Sequence, residues 1–170
     1  SDRAAPPPLD PGDFRALTGV SRETFDRLVV YADLLTRWQA RINLVASASL
    51  ADLWRRHMLD SAQLIGLLPE GPGALVDLGS GAGFPGLVLA IMGRRDIHLV
   101  ESDGRKCAFL TEAARLTGTA VTIHNCRAES LAGSIAARAI TARACARLPR
   151  LLALARPLAR PDTILIIPKG

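Results

Sequence analysis

A glycine-rich loop lies between two apolar runs in the stretch LVDLGSGAGFPGLVLAI, residues 75–91. Four of the eight residues from Gly79 to Gly86 are glycine, and an acid, Asp77, precedes them. Glycine adopts backbone angles that other residues avoid, so the N–H groups of such a loop can approach a ligand closely. A helix that follows the loop presents its N-terminus to an anion. The stretch therefore predicts a loop that binds a cofactor carrying an anionic group.

Two glycine spacings compete within this loop. Residues 81–86 fit GxGxxG, which is typical of dinucleotide-binding loops, and residues 79–83 fit GxGxG, which is typical of methyltransferase loops that bind S-adenosylmethionine. Either spacing alone is weak evidence, so the surrounding residues must decide between them. The loop residues that we expect to hold the cofactor are Gly79, Ser80, Gly81 and Gly83.

Two acids near the loop favour S-adenosylmethionine. Asp77 would repel a pyrophosphate, because two like charges about 4 Å apart interact by roughly 4 kcal/mol at an effective dielectric near 20. The same acid suits the ammonium and sulfonium groups of S-adenosylmethionine. Glu101, followed by Ser102, closes the next strand candidate, where a carboxylate can accept hydrogen bonds from the ribose hydroxyls of either cofactor. We expect both acids and Ser102 to contribute to the cofactor site.

Chain length also argues against a dehydrogenase. Such an enzyme needs a second region that holds its substrate, and 170 residues leave only N-terminal helices and a basic C-terminal part beside the cofactor fold. We therefore expect S-adenosylmethionine as the cofactor. An NAD-binding oxidoreductase stays open as the alternative, together with a methyltransferase that acts on a small molecule or a protein.

The other reactive residue types point to no further chemistry. Cys107, Cys126 and Cys145 lie 19 residues apart, and the scattered histidines fit no metal-ligand spacing. We expect reduced thiols, no metal site and a monomer in the cytoplasm. No signal peptide is recognisable, and no apolar run approaches the roughly 20 residues that span a bilayer.

Charge is distributed unevenly along the chain. Residues 130–170 hold seven basic residues and one acid, whereas residues 1–129 hold 14 basic residues and 15 acids. Such an asymmetry indicates a polyanionic partner, although a solvated arginine-rich face would explain it as well.

The order of apolar patterns predicts the fold. We expect a flexible proline-rich arm over residues 1–20, then one domain over residues 21–170. Helical spacing, with Ser21 as N-cap, predicts added helices within residues 21–69. Strands alternating with helices over residues 73–170 predict an α/β fold, a mostly parallel Rossmann-like sheet with helices on both faces. The last strand candidate, TILIIP, is expected to be central, so we expect further strands beyond Gly170.

Several segments, taken in order, resemble one known family. They are RWQARINLVA (37–46), RRHMLDS (55–61), LVDLGSGAGFPGLVLAI (75–91), RAES (127–130), TARA (141–144) and PKG (168–170). Together they are similar to the RsmG (GidB) family of bacterial 16S rRNA guanine-N7 methyltransferases. The resemblance implies a class I S-adenosylmethionine-dependent methyltransferase fold. It also implies 16S rRNA, or the small-subunit ribosomal particle, as the substrate.

The resemblance also assigns residues. By the family's pattern, the cofactor contacts fall on Gly79, Phe84, Ala128, Glu129 and Arg143. Guanine N7 has a free lone pair and no proton to remove, so catalysis can depend on proximity and orientation without a general base. Arginine reads the N7 and O6 edge of guanine well, which makes Arg143 and Arg147 candidates to position the base.

One further pair in the second helical region could form a local interaction. His57 and Asp60 are separated by about one turn of an α-helix and could contact RNA or brace the cofactor loop, but we expect a structural hydrogen bond between them.

Overall fold

The structure, a computed structural model, describes residues 4–143 and 146–168 of the chain. Cys145, one of the three expected free thiols, lies outside this range, as do Ala144 of the TARA segment and Lys169 and Gly170 of the PKG segment. Cys107 and Cys126 are free.

The N-terminal arm contains a helix, which corrects the expectation of a flexible segment over residues 1–20. Helix α1 spans Pro11–Thr18, and the Asp10 side chain caps it by accepting a hydrogen bond from the Gly12 N–H. A proline at the first helical position is compatible with a helix, because its missing N–H would have no intrahelical partner there. Phe14 is fully buried and packs against Trp54, so α1 is attached to the rest of the protein.

The N-terminal helices form where the apolar spacing predicts them. Helix α2 spans Arg22–Gln39, and the expected cap, Ser21, accepts a hydrogen bond from Thr24 N–H. The second helical region is less regular than an α-helix. It consists of α3 (Ser47–Leu50), a π-helix (Trp54–Leu59), α4 (Asp60–Ala62) and a 3₁₀-helix (Gln63–Leu67).

Among the described residues, five parallel strands and three further helices follow in alternation, as expected. The strands are β1 (Ala74–Leu78), β2 (Ile97–Glu101), β3 (Thr122–Asn125), β4 (Ala137–Ala142) and β5 (Ala159–Ile166). The helices between them are α5 (Gly86–Ile91), α6 (Gly104–Thr117) and α7 (Leu148–Ala155), with short 3₁₀ turns at Ala128–Leu131 and Arg156–Leu158.

The strand order is β3-β2-β1-β4-β5. The order in which strands are added reverses at β1: β2 and β3 lie on one side of it, and β4 and β5 lie on the other. Ligands of parallel α/β sheets bind outside the carboxyl ends of the strands at such a switch point. Within the described residues β5 lies at the sheet edge, whereas the sequence predicted a central position for it.

Helices cover both faces of the sheet. On one face, Leu75, Leu99 and Ala139 pack against α2, α5, α6 and the π-helix. On the other face, Val76 and Ile140 pack against α7. The predicted α/β architecture with added N-terminal helices is thus confirmed. No helix in residues 4–143 and 146–168 combines the length and the apolarity that crossing a membrane requires.

Candidate cofactor-binding site

The glycine-rich loop joins the carboxyl end of β1 to α5. Its path is fixed by backbone hydrogen bonds, since Ser80 N–H donates to the Val100 carbonyl at 3.0 Å and Gly83 N–H donates to the Ser80 carbonyl at 2.7 Å. Gly83 has a φ of 99°, and a Cβ atom there would lie 2.6 Å from the Tyr31 hydroxyl. Only glycine fits this position, because both the backbone angle and the space exclude a side chain.

Helix α2 holds the loop from the other side. The Tyr31 hydroxyl, which is buried, donates a hydrogen bond to the Ala82 carbonyl in the middle of the loop. The added N-terminal helices therefore fix the loop that the sheet presents. Sequence reasoning missed this contact.

Asp77 lies beneath the loop and does not face the ligand cavity, which corrects its assignment as a direct cofactor contact. Its side chain has no exposed surface. One carboxylate oxygen accepts from the Thr141 hydroxyl at 2.7 Å, and the other accepts from the Gly86 N–H at 3.2 Å. Burial raises the pKa of the Asp77 carboxyl to about 6, and these hydrogen bonds oppose the rise. The acid thus connects β1, β4 and the start of α5.

Glu101 lies at the carboxyl end of β2, as the sequence predicts. One of its carboxylate oxygens accepts a hydrogen bond from the Gly81 N–H at 2.9 Å, and the other accepts from the Asp103 N–H at 2.8 Å. Its relative exposure is 9%, so only part of the carboxylate reaches the cavity. The residue therefore has a structural contact with the glycine loop in addition to its place in the cavity wall.

A cavity of about 520 Å³ opens at the carboxyl ends of the strands, a size typical of small-molecule sites. It brings together most of the residues assigned from the sequence: Gly79, Gly81, Glu101, Ser102, Ala128, Glu129 and Arg143. It also includes residues that sequence reasoning missed: Leu44, Leu78, Val100, Lys106, Cys126, Arg127, Ala146, Arg150 and Leu154. Several of these additional residues lie at the carboxyl ends of strands. That position is the only feature of the sequence that could have identified them.

Several assigned residues do not line the cavity. Ser80 is buried, and its hydroxyl donates to the Asp77 carbonyl at 2.9 Å. Phe84 is 6% exposed and packs in the core against Tyr31 and His57. Gly83 is enclosed beside Tyr31, as described above. These residues shape the loop and its support.

Arg143 extends from the end of β4 into the cavity wall. Its Nη2 donates to the Arg56 carbonyl at 2.6 Å and lies 3.7 Å from an Asp60 carboxylate oxygen. Burial lowers the pKa of the guanidinium, and the Asp60 charge opposes that effect. Its Nη1 is buried without a hydrogen-bond partner among the described residues. A buried cationic donor without a partner is costly, so this atom is a natural contact for a bound anion.

The two arginines expected to position a base differ in their placement. Arg143 lines the cavity, whereas Arg147 is exposed at the start of α7 and does not line it. Arg150, one turn further along α7, lines the cavity and forms an ion pair with Glu129 at its mouth. The geometry therefore favours Arg150 over Arg147.

The expected hydrogen bond between His57 and Asp60 is wrong. His57 Nε2 lies 2.8 Å from the Ser49 hydroxyl, and the imidazole ring stacks on Phe84. Burial, followed by the positive charges of Arg143 and Arg56, lowers the pKa of His57 to about 4. The residues diverge because His57 lies in a π-helix, where backbone bonds run from i to i+5 and the α-helical spacing does not apply.

The described part of the chain does not group side chains that could bind a metal ion. Within residues 4–143 and 146–168, no three histidine, cysteine or acidic side chains are grouped so that they could hold a metal ion. The cavity instead combines two carboxylates with several cationic side chains, which suits a ligand that carries charges of both signs.

Comparison with known proteins gives the family. Residues 24–170 match the family GidB, described as rRNA small subunit methyltransferase G. The chain belongs to the GidB family. It is 59% identical over 158 residues to the ribosomal RNA small subunit methyltransferase G of Rhodospirillum centenum, covering 93% of this chain and 73% of that protein. It is 60% identical over 149 residues to the protein of the same name from Paramagnetospirillum magneticum, covering 88% of this chain and 72% of that protein.

A solved structure has the same fold as this chain. A methyltransferase from Geobacter sulfurreducens superposes with a TM-score of 0.57 at 14% identity, over 96% of this chain and 80% of that one. This likeness confirms the class I methyltransferase architecture that the sequence predicted. The family predicted from the sequence segments is confirmed as well.

Proposed function

We propose that the protein transfers a methyl group from S-adenosylmethionine to N7 of a guanine in 16S rRNA of the small ribosomal subunit. The observation that carries this proposal is the cavity of mixed charge at the carboxyl ends of β1, β2 and β4, in a chain that matches an rRNA methyltransferase family from residue 24 onward. The cavity lies at the point where strand order reverses, which is where ligands of such sheets bind.

The residues of the cavity fit S-adenosylmethionine. The unpartnered Nη1 of Arg143 is a donor for the cofactor's carboxylate. Glu101 offers the remaining lone pairs of its carboxylate to the ribose hydroxyls, while its contact with Gly81 keeps the loop in place. Glu129 adds a second carboxylate for a ligand with ammonium and sulfonium groups. We assign Gly79, Gly81, Ser102 and Ala128 to the walls around the cofactor.

The same geometry disfavours a dinucleotide. A pyrophosphate would use the N–H groups at the start of the helix after the loop. Here the Gly86 N–H at the start of α5 already donates to the buried carboxylate of Asp77. An acid in that place opposes a second anion, so the oxidoreductase alternative has no support from the site.

Methyl transfer to N7 requires little of the protein beyond placement. S-adenosylmethionine supplies an electrophilic methyl group on its sulfonium. N7 of guanine attacks with a lone pair and releases no proton, so a general base is unnecessary. No histidine is among the described residues that line the cavity, which agrees with such a reaction. Arg143 and Arg150 can hold the base by donating to its O6, which leaves the N7 lone pair free to attack the methyl group, and Leu44 and Leu154 add apolar surface to the wall.

The RNA is held through its phosphates. Lys106, Arg127 and Arg150 line the cavity and place positive charge around its mouth. Phosphate contacts position an RNA without reading its sequence, so the target is selected by the fold of the RNA or of the particle that contains it. We infer that the enzyme acts as a monomer in the bacterial cytoplasm, where its substrate is made.

Cofactor identity is the first measurement. Calorimetric titration with S-adenosylmethionine and with NAD, on the 170-residue chain and on a Gly81→Asp variant, should give binding of S-adenosylmethionine alone. Gly81 lines the cavity and has a φ of 53°, so an aspartate there would strain the loop and add a carboxylate to the cavity wall, and the variant should not bind. Binding of NAD by the unaltered chain would contradict the proposal.

The methylated atom is tested separately. The enzyme is incubated with radiolabelled S-adenosylmethionine and either 16S rRNA or small-subunit particles that lack the modification. Borohydride reduction followed by aniline cleaves RNA at N7-methylguanosine, so a single new cleavage site is expected in the RNA. Label incorporated without cleavage would place the methyl group elsewhere.

A further inference from the structure

A second concave surface lies between α2 and α6, outside the cofactor cavity. Its volume is about 380 Å³, within the range of small-ligand sites. Leu34, Ile42 and Trp38 form much of its apolar floor, and Trp38 packs its edge against Phe109. We call this surface, lined by Leu34, Arg37, Trp38, Arg41, Ile42, Arg105 and Ala108, the α2–α6 groove.

Three arginines surround the groove. Arg37, Arg41 and Arg105 are exposed, and within the described residues none of them forms an ion pair or a side-chain hydrogen bond. Part of the basic C-terminal charge is compensated instead, because Arg138 and Arg160 both pair with Asp162 and Arg150 pairs with Glu129, while Arg147 and Arg156 are exposed without an ion pair among the described residues. Three uncompensated arginines line the groove together, a grouping that the charge count along the sequence did not predict.

The groove adjoins the cofactor cavity. Arg105 lines the groove and Lys106, the next residue, lines the cavity. The segment after α2 behaves in the same way, since Ile42 faces the groove and Leu44 faces the cavity. The two concave surfaces thus share a wall made of the first turn of α6 and the connection after α2. A polymer that enters the cavity at this wall can therefore extend across it into the groove.

We propose that the α2–α6 groove binds a stretch of the RNA substrate next to the methylated nucleotide, with phosphates on the three arginines and one unpaired base against Trp38. Arginine suits phosphate because its guanidinium presents a planar fork of donors. An aromatic side chain beside it stacks a base of any sequence, because every base has a π-face. The proposal rests on RNA being the substrate, and it adds a contact outside the cofactor cavity.

The test compares matched arginine variants. Arg37→Gln combined with Arg41→Gln removes two groove charges, while Arg27→Gln removes an exposed arginine from the same helix away from the groove. Steady-state methylation of protein-free 16S rRNA should show KM for RNA raised about tenfold in the double variant, with kcat and the Kd for S-adenosylmethionine within twofold. The Arg27→Gln enzyme should match the unaltered one.

The salt dependence of RNA binding distinguishes a phosphate contact from a structural role, because loss of a purely structural contact would not change it. The slope of log K against log salt for RNA binding should become shallower by about 1.4 to 1.8 in the double variant, because each lost phosphate contact changes it by roughly 0.7 to 0.9. An unchanged slope and KM would overturn the proposal. A loss seen with the ribosomal particle but not with protein-free rRNA would also overturn it, since the groove would then contact a ribosomal protein.

Base stacking is tested through fluorescence. The chain has two tryptophans, so Trp54→Phe leaves Trp38 as the only one. A single-stranded oligoribonucleotide should quench Trp38 emission, and the abasic oligomer of the same length should not. Equal quenching by both would remove the base from the proposal. Failure of the proposed function is recognised independently, because the unaltered enzyme would then incorporate no label into rRNA.

Discussion

The Thr141 hydroxyl donates a hydrogen bond of 2.7 Å to the Asp77 carboxylate and so joins two neighbouring strands beneath the glycine loop. The second carboxylate oxygen accepts from the Gly86 N–H at the start of α5. The acid is completely buried and is held by neutral donors. Its ionisation is therefore costly to the folded state, and stability must depend on pH in a defined direction.

Asp77 and His57 are expected to affect stability with opposite signs. Burial raises the pKa of Asp77 from 3.8 to about 6. Its contribution to the free energy of unfolding is therefore fully present below pH 3.8 and is lost as pH rises through 6. The loss is on the order of 3 kcal/mol. The pKa of His57 is lowered from 6.5 to about 4, so its contribution is present above pH 6.5 and is lost as pH falls towards 4. Between pH 4 and 6 the two oppose each other.

Single variants separate the two contributions. Urea unfolding at several pH values should show the stability of Asp77→Asn rising with pH more steeply than that of the unaltered chain. The stability of His57→Gln should fall with pH over the same range. Asp33→Asn changes an exposed acid on α2 and serves as the control, with the unaltered slope expected. A curve for Asp77→Asn parallel to that of the unaltered chain would contradict the assigned origin of the effect.

Loss of the Tyr31 hydroxyl should weaken both the fold and cofactor binding. The Tyr31→Phe variant leaves the Ala82 carbonyl without its buried donor, which costs about 1–3 kcal/mol. The loop then loses its attachment to α2, and the Kd for S-adenosylmethionine should rise severalfold in a calorimetric titration. Thr36→Val removes a hydroxyl that bonds within the same helix and should leave the Kd unchanged. Equal affinities for the two variants would show that α2 does not position the loop.

A Cβ atom at Gly83 should be more damaging than one at Gly93. Both glycines have positive φ, but a Cβ at Gly83 would lie 2.6 Å from the Tyr31 hydroxyl and 2.9 Å from Leu87 Cβ, whereas Gly93 has open space. Gly83→Ala should destabilise the fold by about 2–4 kcal/mol, from backbone strain plus overpacking. Gly93→Ala should cost about 1–2 kcal/mol, from backbone strain alone. Denaturant midpoints of similar size for the two variants would exclude overpacking at Gly83.

The sheet could be predicted from the sequence because most strands contain a short apolar run, and because the two longest helices, α2 and α6, have a helical period and caps. Ser21 and the glycine after α6 mark helix ends correctly. Helix α1 differs from the sequence expectation because the three prolines of residues 6–8 disfavour a helix, whereas Asp10, Pro11 and Gly19 bound a helix that begins after them.

The support beneath the site could not be predicted, because it depends on how distant elements pack. Tyr31 and Ala82 are 51 positions apart and meet only because α2 packs on the loop. Asp77 has the right place for a ligand contact, but its side chain points into the core. The π-helix altered the spacing on which the His57–Asp60 prediction relied. Strand ends thus identified the cavity, and tertiary packing decided which side chains line it.

Two arginines one turn apart on α7 provide a matched test of base positioning. Arg150 lines the cavity beside Glu129, and Arg147 is exposed outside it. A charge-assisted hydrogen bond from a guanidinium to guanine O6 leaves the N7 lone pair free and contributes about 1.5–3 kcal/mol, so Arg150→Gln should lower kcat/KM for rRNA by at least about tenfold. Arg147→Gln should stay within twofold, and Arg150→Lys should restore part of the activity because its ammonium can also donate to O6. Methylation kinetics with the Kd for S-adenosylmethionine measured in parallel would detect the difference. A larger loss of kcat/KM for Arg147→Gln than for Arg150→Gln would show that Arg147 positions the base. It would contradict the placement of Arg150 at the cavity mouth as the base contact.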